Sequence, residues 1–260
     1  MQKGNGRLIE SFRVTKIREN KIEITEDMII KEIPFTININ GRDMVTLVSS
    51  PNDLEDLTAG FLFTSGMITM ESDINISIDY NEGKAYLILE ENNKNILFNR
   101  LYTGKEEGIL YYKLYDMNRK KISSDLSVTY VQIIEFMKDF QLRDRMFAQT
   151  GGAHSAAIGS KEKGILFFRE DIGRHNAIDK AIGAAWAKKI HMKDTFIITS
   201  GRVSSELVLK CEISGIPLII SKSAPTSQAV DLARNAGIIL VGLVRGNNMN
   251  IYSEYDRIIL

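Results

Sequence analysis

The sequence predicts an α/β protein whose second half forms a largely parallel sheet with helices on its faces, preceded by a smaller β-rich α+β region. Two patterns carry this. After residue 150, strand-length apolar runs alternate with helix-length segments, as crossover units require. Before residue 50, apolar and polar positions exchange with the two-residue period of strands. The division falls near residue 125: residues 1–125 are β-rich with one long helix, and residues 126–260 form the α/β part.

Residues 11–17, 21–25 and 34–38 are rich in Val, Ile, Phe and Thr and alternate as strands do. Asn40-Gly41 predicts a tight hairpin, since both residues tolerate positive φ, with residues 44–48 as the returning strand. Ser50-Pro51-Asn52-Asp53 reads as a helix start, with a capping hydroxyl, a proline suited to the first helical position, and an acidic residue three places on. Leu54, Leu57, Thr58, Phe61 and Leu62 follow at helical spacing, and Gly66 ends the helix. Short strands are expected over residues 72–101, turning at Asn81-Glu82-Gly83. Residues 102–125 are polar and weakly patterned, a loop or a hairpin. A helix is expected over 127–140, with Val131, Ile134 and Met137 or Lys138 along one face. Then come strands 153–158 and 164–168, helix 174–188, strand 195–199, helix 203–213, strand 217–221, helix 226–235 and strand 238–243.

Composition narrows the function classes. With 44% hydrophobic and 25% charged residues the chain has the makings of an ordinary core. Its formal net charge of zero points to neither nucleic acid nor an anionic membrane, so any anion site must be local. The polar first ten residues lack a secretory pattern, and no apolar run reaches the roughly 20 residues of a membrane helix. A cytoplasmic location is expected. One cysteine, Cys211, excludes an internal disulfide and a cysteine-rich zinc knuckle.

Three loops in the second half share a design. Ser200-Gly201-Arg202, Ser223-Ala224-Pro225-Thr226 and Arg245-Gly246-Asn247-Asn248 each follow a strand, and in an open α/β sheet such loops gather at the carboxyl edge, where ligands bind. Helix starts there offer unpaired N–H groups to phosphate, the glycines admit close approach, and Arg202 and Arg245 can fork onto phosphate oxygens. Taken singly, each loop is better explained by capping hydroxyls, solvated arginines and turn glycines. Converging on one edge, they predict an anion site.

The densest polar run, Arg169 to Asn176, stands between a strand and an Ala-rich helix. Asp171 is a helix-cap candidate. His175 and Asp179, four apart, could pair on one helix face. Arg174 and His175 at the helix start could orient or protonate a polar ligand, or His175 could be merely structural. His154, after Gly151-Gly152, is a metal ligand or a buried polar anchor. Zinc deaminases place a glutamate two residues after this histidine and a Pro-Cys-x-x-Cys later. Here Ala156 takes the glutamate position and the cysteine pair is missing, which excludes deamination. Cys211, inside a helix, reads as packing rather than as a nucleophile.

Six stretches together resemble the FdhD family of formate dehydrogenase accessory proteins: EIPFTININGRD, SPNDLEDLTAGFLFTSGMI, TGGAHSAAI, REDIGRHNAIDKAIG, TSGRVSSELVLK and SAPTSQAVDLARNAGIILVGLVRG. The resemblance implies a cytidine deaminase-like three-layer domain without the zinc site. It implies a protein that takes sulfur from a cysteine desulfurase and passes it to the molybdenum bis(pterin guanine dinucleotide) cofactor of formate dehydrogenase, and that pairs as a homodimer. It places cofactor contacts at Leu243, Val244, Arg245, Gly246, Asn247 and Asn248. The family's sulfur carrier is a Cys-Gly-x-Cys-Gly-like pair, whereas residues 102–108 in that neighbourhood contain no cysteine. Sulfur transfer through a persulfide needs a thiolate, so this chain is not expected to carry sulfur itself.

The expected function is therefore cofactor binding and assistance to sulfuration, with GDP as a soluble analogue of the cargo. Arg202, Ser223, Thr226, Arg245 and Gly246 would contact phosphate, Arg174 and His175 would orient the ligand, and His154 would lie beneath it. The alternatives are a sulfurtransferase using Cys211 and a metal-dependent hydrolase using His154, Asp171 and His175.

Overall fold

The computed structural model describes residues 8–90 and 121–260. Residues 102–120 of the weakly patterned stretch thus lie outside the described residues.

Strands β1 (Ile9–Arg18) and β2 (Lys21–Ile30) form a two-stranded antiparallel arm, paired from Ile9↔Ile30 to Arg18↔Lys21. β3 (Ile33–Ile39) and β4 (Arg42–Ser49) turn at Asn40-Gly41, where both residues have positive φ, 54° and 81°. With β5 (Ser77–Asp79) and β6 (Lys84–Leu87) they make a four-stranded sheet in the order β4-β3-β6-β5.

Helix α1 (Leu54–Thr64) starts later than its local signals suggest. Ser50 is not its cap, because the Ser50 N–H and hydroxyl both donate to Asp171 Oδ2, at 3.1 and 2.9 Å. The helix instead begins after Asp53, at φ 50°, without a side-chain cap. Gly66, at φ 71°, lies just past its end as expected.

Helix α2 (Tyr130–Arg143) also starts later than expected, behind a capping box of Thr129 and Gln132. Val128–Thr129 is strand β7, paired in parallel with β14 (Ile258–Ile259). The helix buries Ile133, Ile134, Phe136, Met137 and Phe140. Ile134 and Met137 are buried as the spacing predicts, whereas Val131 and Lys138 are exposed, because the buried face is centred on Ile133, Phe136 and Phe140. A short helix α3 (Arg145–Thr150), without a sequence signal, ends at Gly151 with φ 66°.

The main sheet comprises β8 (His154–Ser160), β9 (Gly164–Asp171), β10 (Thr195–Thr199), β11 (Leu218–Ser221), β12 (Ile239–Arg245) and β13 (Asn248–Ser253). Its order is β13-β12-β11-β10-β8-β9. The expected largely parallel sheet is corrected here. Only β10–β11 and β11–β12 are parallel; the other three pairings are antiparallel. The reason is connection length. Helices α5 (Ser205–Ser214) and α6 (Ser227–Ala236) supply crossovers for the parallel pairs. The few residues between β8 and β9, and between β12 and β13, can only turn the chain back.

Strand alternation sorts the core into two layers. Ala156, Ile158, Ile197, Ile219 and Leu240 join the cluster that contains α1, α5, α6 and α4 (Arg174–Ala187). Ala157, Ile198, Ile220 and Val241 join the cluster of α2 on the other face. The four-stranded sheet contributes Phe35, Ile37, Ala85 and Leu87 to the first cluster, against α1. Among the described residues no helix is long and apolar enough to cross a membrane.

Helices α1 and α4 pack backbone against backbone. A Cβ on Gly60 would sit 1.8 Å from the Asp179 carbonyl oxygen, and one on Gly183 would sit 1.9 Å from that of Asp56. Only glycine allows the two backbones to touch. Two buried ion pairs flank the crossing: Lys210 Nζ to Asp179 Oδ2 and Lys180 Nζ to Asp171 Oδ2, both at 2.6 Å. Thr64 of α1 donates to Asp179 Oδ1 at 2.9 Å, which ties the pair to both helices. Gly183→Ala is expected to cost at least about 2–3 kcal/mol of stability, because the methyl meets backbone that cannot yield. Urea denaturation measures this; an unchanged midpoint would contradict the crossing.

Candidate functional site

The three loops do converge. β10, β11 and β12 end side by side, and their loops are stitched together by hydrogen bonds. The Thr199 hydroxyl accepts from the Gly201 N–H at 3.1 Å, and the Ser221 hydroxyl donates to the Gly201 carbonyl at 2.8 Å. Ser223 donates its hydroxyl to the Ser200 carbonyl at 2.9 Å. The Leu243 N–H reaches the Ser223 carbonyl at 3.1 Å, and Arg245 Nε donates to the Lys222 carbonyl at 3.2 Å. A short parallel bridge, Val203↔Pro225, closes the first two loops on each other.

These bonds assign work to several expected ligand contacts. Thr226 caps α6, its side chain accepting from the Ala229 N–H at 3.3 Å. Ser204 caps α5 in the same way. Ser223 spends its donor proton on the first loop. The third loop leads to no helix; it is the tight turn of the β12–β13 hairpin, closed by Arg245↔Asn248 with Gly246 at φ 57°. The helix-start argument for phosphate therefore applies to two loops. Leu243 takes φ 53° at the bulge of this hairpin, and Val244 is buried and anchors it. Arg202, Arg245, Gly246, Asn247 and Asn248 are exposed at the rim.

Beneath the first loop lies a second group. A Cβ on Gly201 would meet Arg174 Cβ and Cδ at 3.2 and 3.4 Å, so the arginine stem lies along that glycine. Arg174 Nε is buried and has no hydrogen-bond partner among the described residues. His154 Nδ1 stands 3.4 Å from the Ser200 hydroxyl, which also accepts from the Ser155 N–H at 3.0 Å. Burial, and then the Arg174 charge, hold the His154 imidazole below the ordinary histidine range. Arg174, His154 and the Ser200–Arg202 loop are thus brought together as expected.

His175 and Asp179 do not pair. His175 Nδ1 lies 3.2 Å from Glu206 Oε1, outside hydrogen-bonding geometry, while Asp179 is taken by Lys210 and Thr64. Helical spacing is satisfied by a stronger, non-local partner. Burial, followed by the Lys210 and Arg174 charges, pushes His175 down from 6.5 to about 4.

Asp171 is not a helix cap, since Gly173 holds that position. It is a buried anchor, receiving Gly173 N–H at 2.7 Å, Asn176 Nδ2 at 3.0 Å, both Ser50 donors, and Lys180. With its oxygens so occupied it offers nothing to a metal. Among the described residues no three His, Cys, Asp or Glu side chains converge to hold one. Cys211 is completely buried in α5, and burial raises its thiol pKa despite the neighbouring Lys210. The buried pairs escaped sequence reading, although Asp179-Lys180 inside an otherwise apolar Ala-rich helix is a signal for them.

A separate cleft of about 530 Å³ opens among the C-terminal ends of α1, α4 and α5, lined by residues including Phe63, Ile68, Lys189, Met192 and Ile213. It contains no arginine and lies away from the three loops. None of its lining residues belongs to the three loops.

Because His175 is neutral when folded, the unfolded chain binds a proton below pH 6.5 that the folded chain refuses until about pH 4. Stability is therefore present above 6.5 and is lost as pH falls through that window, by at most about 1.4 kcal/mol per pH unit. An NMR titration should place the His175 midpoint near 4; a midpoint at the ordinary value would contradict the burial.

The profile described as the FdhD/NarQ family matches residues 30–259. A relative named Sulfur carrier protein FdhD from Geobacillus kaustophilus (strain HTA426) is 38% identical over 255 residues, covering 95% of this chain and 96% of that protein. Another of the same name, from Bacillus pumilus (strain SAFR-032), is 36% identical over 251 residues, covering 94% of this chain and 95% of the relative. A crystal structure described as a formate dehydrogenase accessory protein, from Desulfotalea psychrophila, is similar with a TM-score of 0.80 and 26% identity, covering 97% of this chain and all of that one.

Proposed function

The chain belongs to the FdhD/NarQ family, and from that premise we propose that it is a formate dehydrogenase accessory protein that holds the molybdenum bis(pterin guanine dinucleotide) cofactor as cargo during sulfuration. The names of its relatives, sulfur carrier protein and formate dehydrogenase accessory protein, support the role. The observation that carries the site is the stitched platform of three loops, with Arg202 and Arg245 at its exposed rim and the partnerless Arg174 Nε buried beside Gly201. A buried guanidinium nitrogen without an acceptor is costly. A phosphate oxygen would satisfy it.

In this reading Arg245, with the turn Gly246-Asn247-Asn248, and Arg202 clamp the guanine dinucleotide phosphates. Arg174 fixes a further anionic oxygen. His154 and His175, both kept neutral, add hydrogen bonds without adding charge, so the site neutralises phosphate through its arginines. Ser223 and Thr226 serve by holding the loops rather than by touching the cargo.

Sulfur arrives, in this proposal, from a cysteine desulfurase. Persulfide transfer requires an accessible thiolate on each carrier. Cys211 is the chain's single cysteine, it is buried, and its thiol is held protonated. The thiol chemistry therefore belongs to the partner, and this chain presents the cofactor to it. The same burial removes the physical basis for a sulfurtransferase acting through Cys211.

Calorimetric titration with GDP tests the site. One saturable site is expected, with Arg245→Ala or Arg202→Ala weakening it about ten- to a hundredfold, the loss of one charge-assisted bond worth about 1.5–3 kcal/mol. Equal affinity in wild type and both variants would remove the platform from the account.

A further inference from the structure

The cleft among the C-terminal ends of α1, α4 and α5 is walled by Phe63, Ile68, Ile190, Met192 and Ile213. Its volume of about 530 Å³ falls within the roughly 300–1,000 Å³ of small-molecule sites. The charged groups around it are largely committed. Lys189 Nζ donates to the Met70 and Ser72 carbonyls at 2.7 and 2.9 Å and stands 4.8 Å from the centre of the Trp186 ring. His191 Nδ1 is paired with Asp194 Oδ2 at 2.8 Å. Lys193 is exposed at the rim, and Glu71 is the one acid among the described lining residues. The three helix ends add partial negative charge, roughly half a unit each, which offsets the lysines. One polar atom is left over. Ser214 lines the cleft from the last turn of α5, is 5% exposed, and its hydroxyl has no hydrogen-bond partner among the described residues. A buried hydroxyl left without a partner is costly.

We propose that this cleft binds a neutral, largely apolar small molecule carrying one hydrogen-bonding group, which pairs with the Ser214 hydroxyl. The aliphatic and aromatic walls supply affinity through the area removed from water, and the single unsatisfied hydroxyl fixes the orientation. A charged head group is disfavoured in either sign. An anion would meet Glu71 and the carbonyl ends of the helices, and a cation would meet Lys189 and Lys193. Helix α4 separates the cleft from the three-loop platform: it begins at Arg174 and ends at Ala187, about 20 Å away along its axis. The inference is therefore independent of the cofactor reading. Trp186, the chain's single tryptophan, is a built-in reporter, since its Nε1 donates at 2.9 Å to the carbonyl of Thr69, which lines the cleft.

Fluorescence titration of the full chain with N-phenyl-1-naphthylamine, an uncharged apolar amine, tests it. Saturable binding of one probe per chain is expected, with Trp186 emission quenched as the probe's emission rises. Ile213→Lys should weaken binding at least about tenfold, and Ser214→Ala about three- to tenfold, the loss of one neutral hydrogen bond. Circular dichroism and GDP affinity should be unchanged in both. Ser214→Ala should also leave the urea midpoint equal or higher, because it removes an unsatisfied hydroxyl. Anilinonaphthalene sulfonate, the same ring skeleton with a negative charge, should bind at least about tenfold more weakly than the uncharged probe. A wild-type chain that does not bind the uncharged probe saturably would overturn the proposal. So would affinity that Ser214→Ala or a folded Ile213→Lys leaves unchanged, a sulfonate that binds as tightly, or displacement of the probe by GDP. Loss of GDP binding with probe binding intact would strike the cofactor site alone.

Discussion

The fold depends on one contact, the crossing of α1 and α4 where Gly60 and Gly183 let two helix backbones touch. Nothing larger than hydrogen fits on either residue. The crossing is also the place where charge is buried. Asp179 and Lys210 bridge α4 to α5 with Thr64 of α1, while Lys180 and Asp171 bridge α4 to β9 and to Ser50. Burial pushes the Asp179 carboxyl up and the Lys180 ammonium down, each opposed by its partner. Buried pairs hold only when every remaining polar atom is satisfied. Here Ser50, Thr64, Gly173 and Asn176 supply that satisfaction, and none of them can move without exposing a charge.

That frame sets the site. Asp171 ends β9, receives the first turn of α4 and so fixes where Arg174 begins. Arg174 lies along Gly201, at the end of β10, and the first loop is sewn to the second through Ser221 and Ser223. The third follows through Leu243 and Arg245. A chain of short-range contacts thus runs from the glycine crossing to the outermost arginine. The two histidines beside it are kept neutral by the same burial that holds α4 in place.

What was legible in the sequence was local. Asn40-Gly41 turns where its φ tolerance predicts, Gly66 lies past its helix end, and the three loops are recognisable from small residues and arginines after strands. What failed needed a distant partner or a chain-length argument. Ser50 has every local mark of a helix cap, but Asp171, 121 residues away, takes both of its donors. His175 and Asp179 have the right helical spacing, yet Asp179 finds Lys210 on another helix. The strand run after residue 150 looks parallel until the short links before β9 and β13 are seen to be too brief for crossovers. Apolar runs reveal that strands exist; their direction lies in the connections.

The chain belongs to the FdhD/NarQ family, and the proposal adds a nucleotide-bearing cargo held on the three-loop platform. The most direct test is amide hydrogen exchange with and without GDP. The account predicts protection confined to residues 199–203, 221–226 and 243–248 and to the start of α4 at Arg174. Protection instead around Phe63, Lys189 and Ile213, at the apolar cleft among the helix ends, would contradict it.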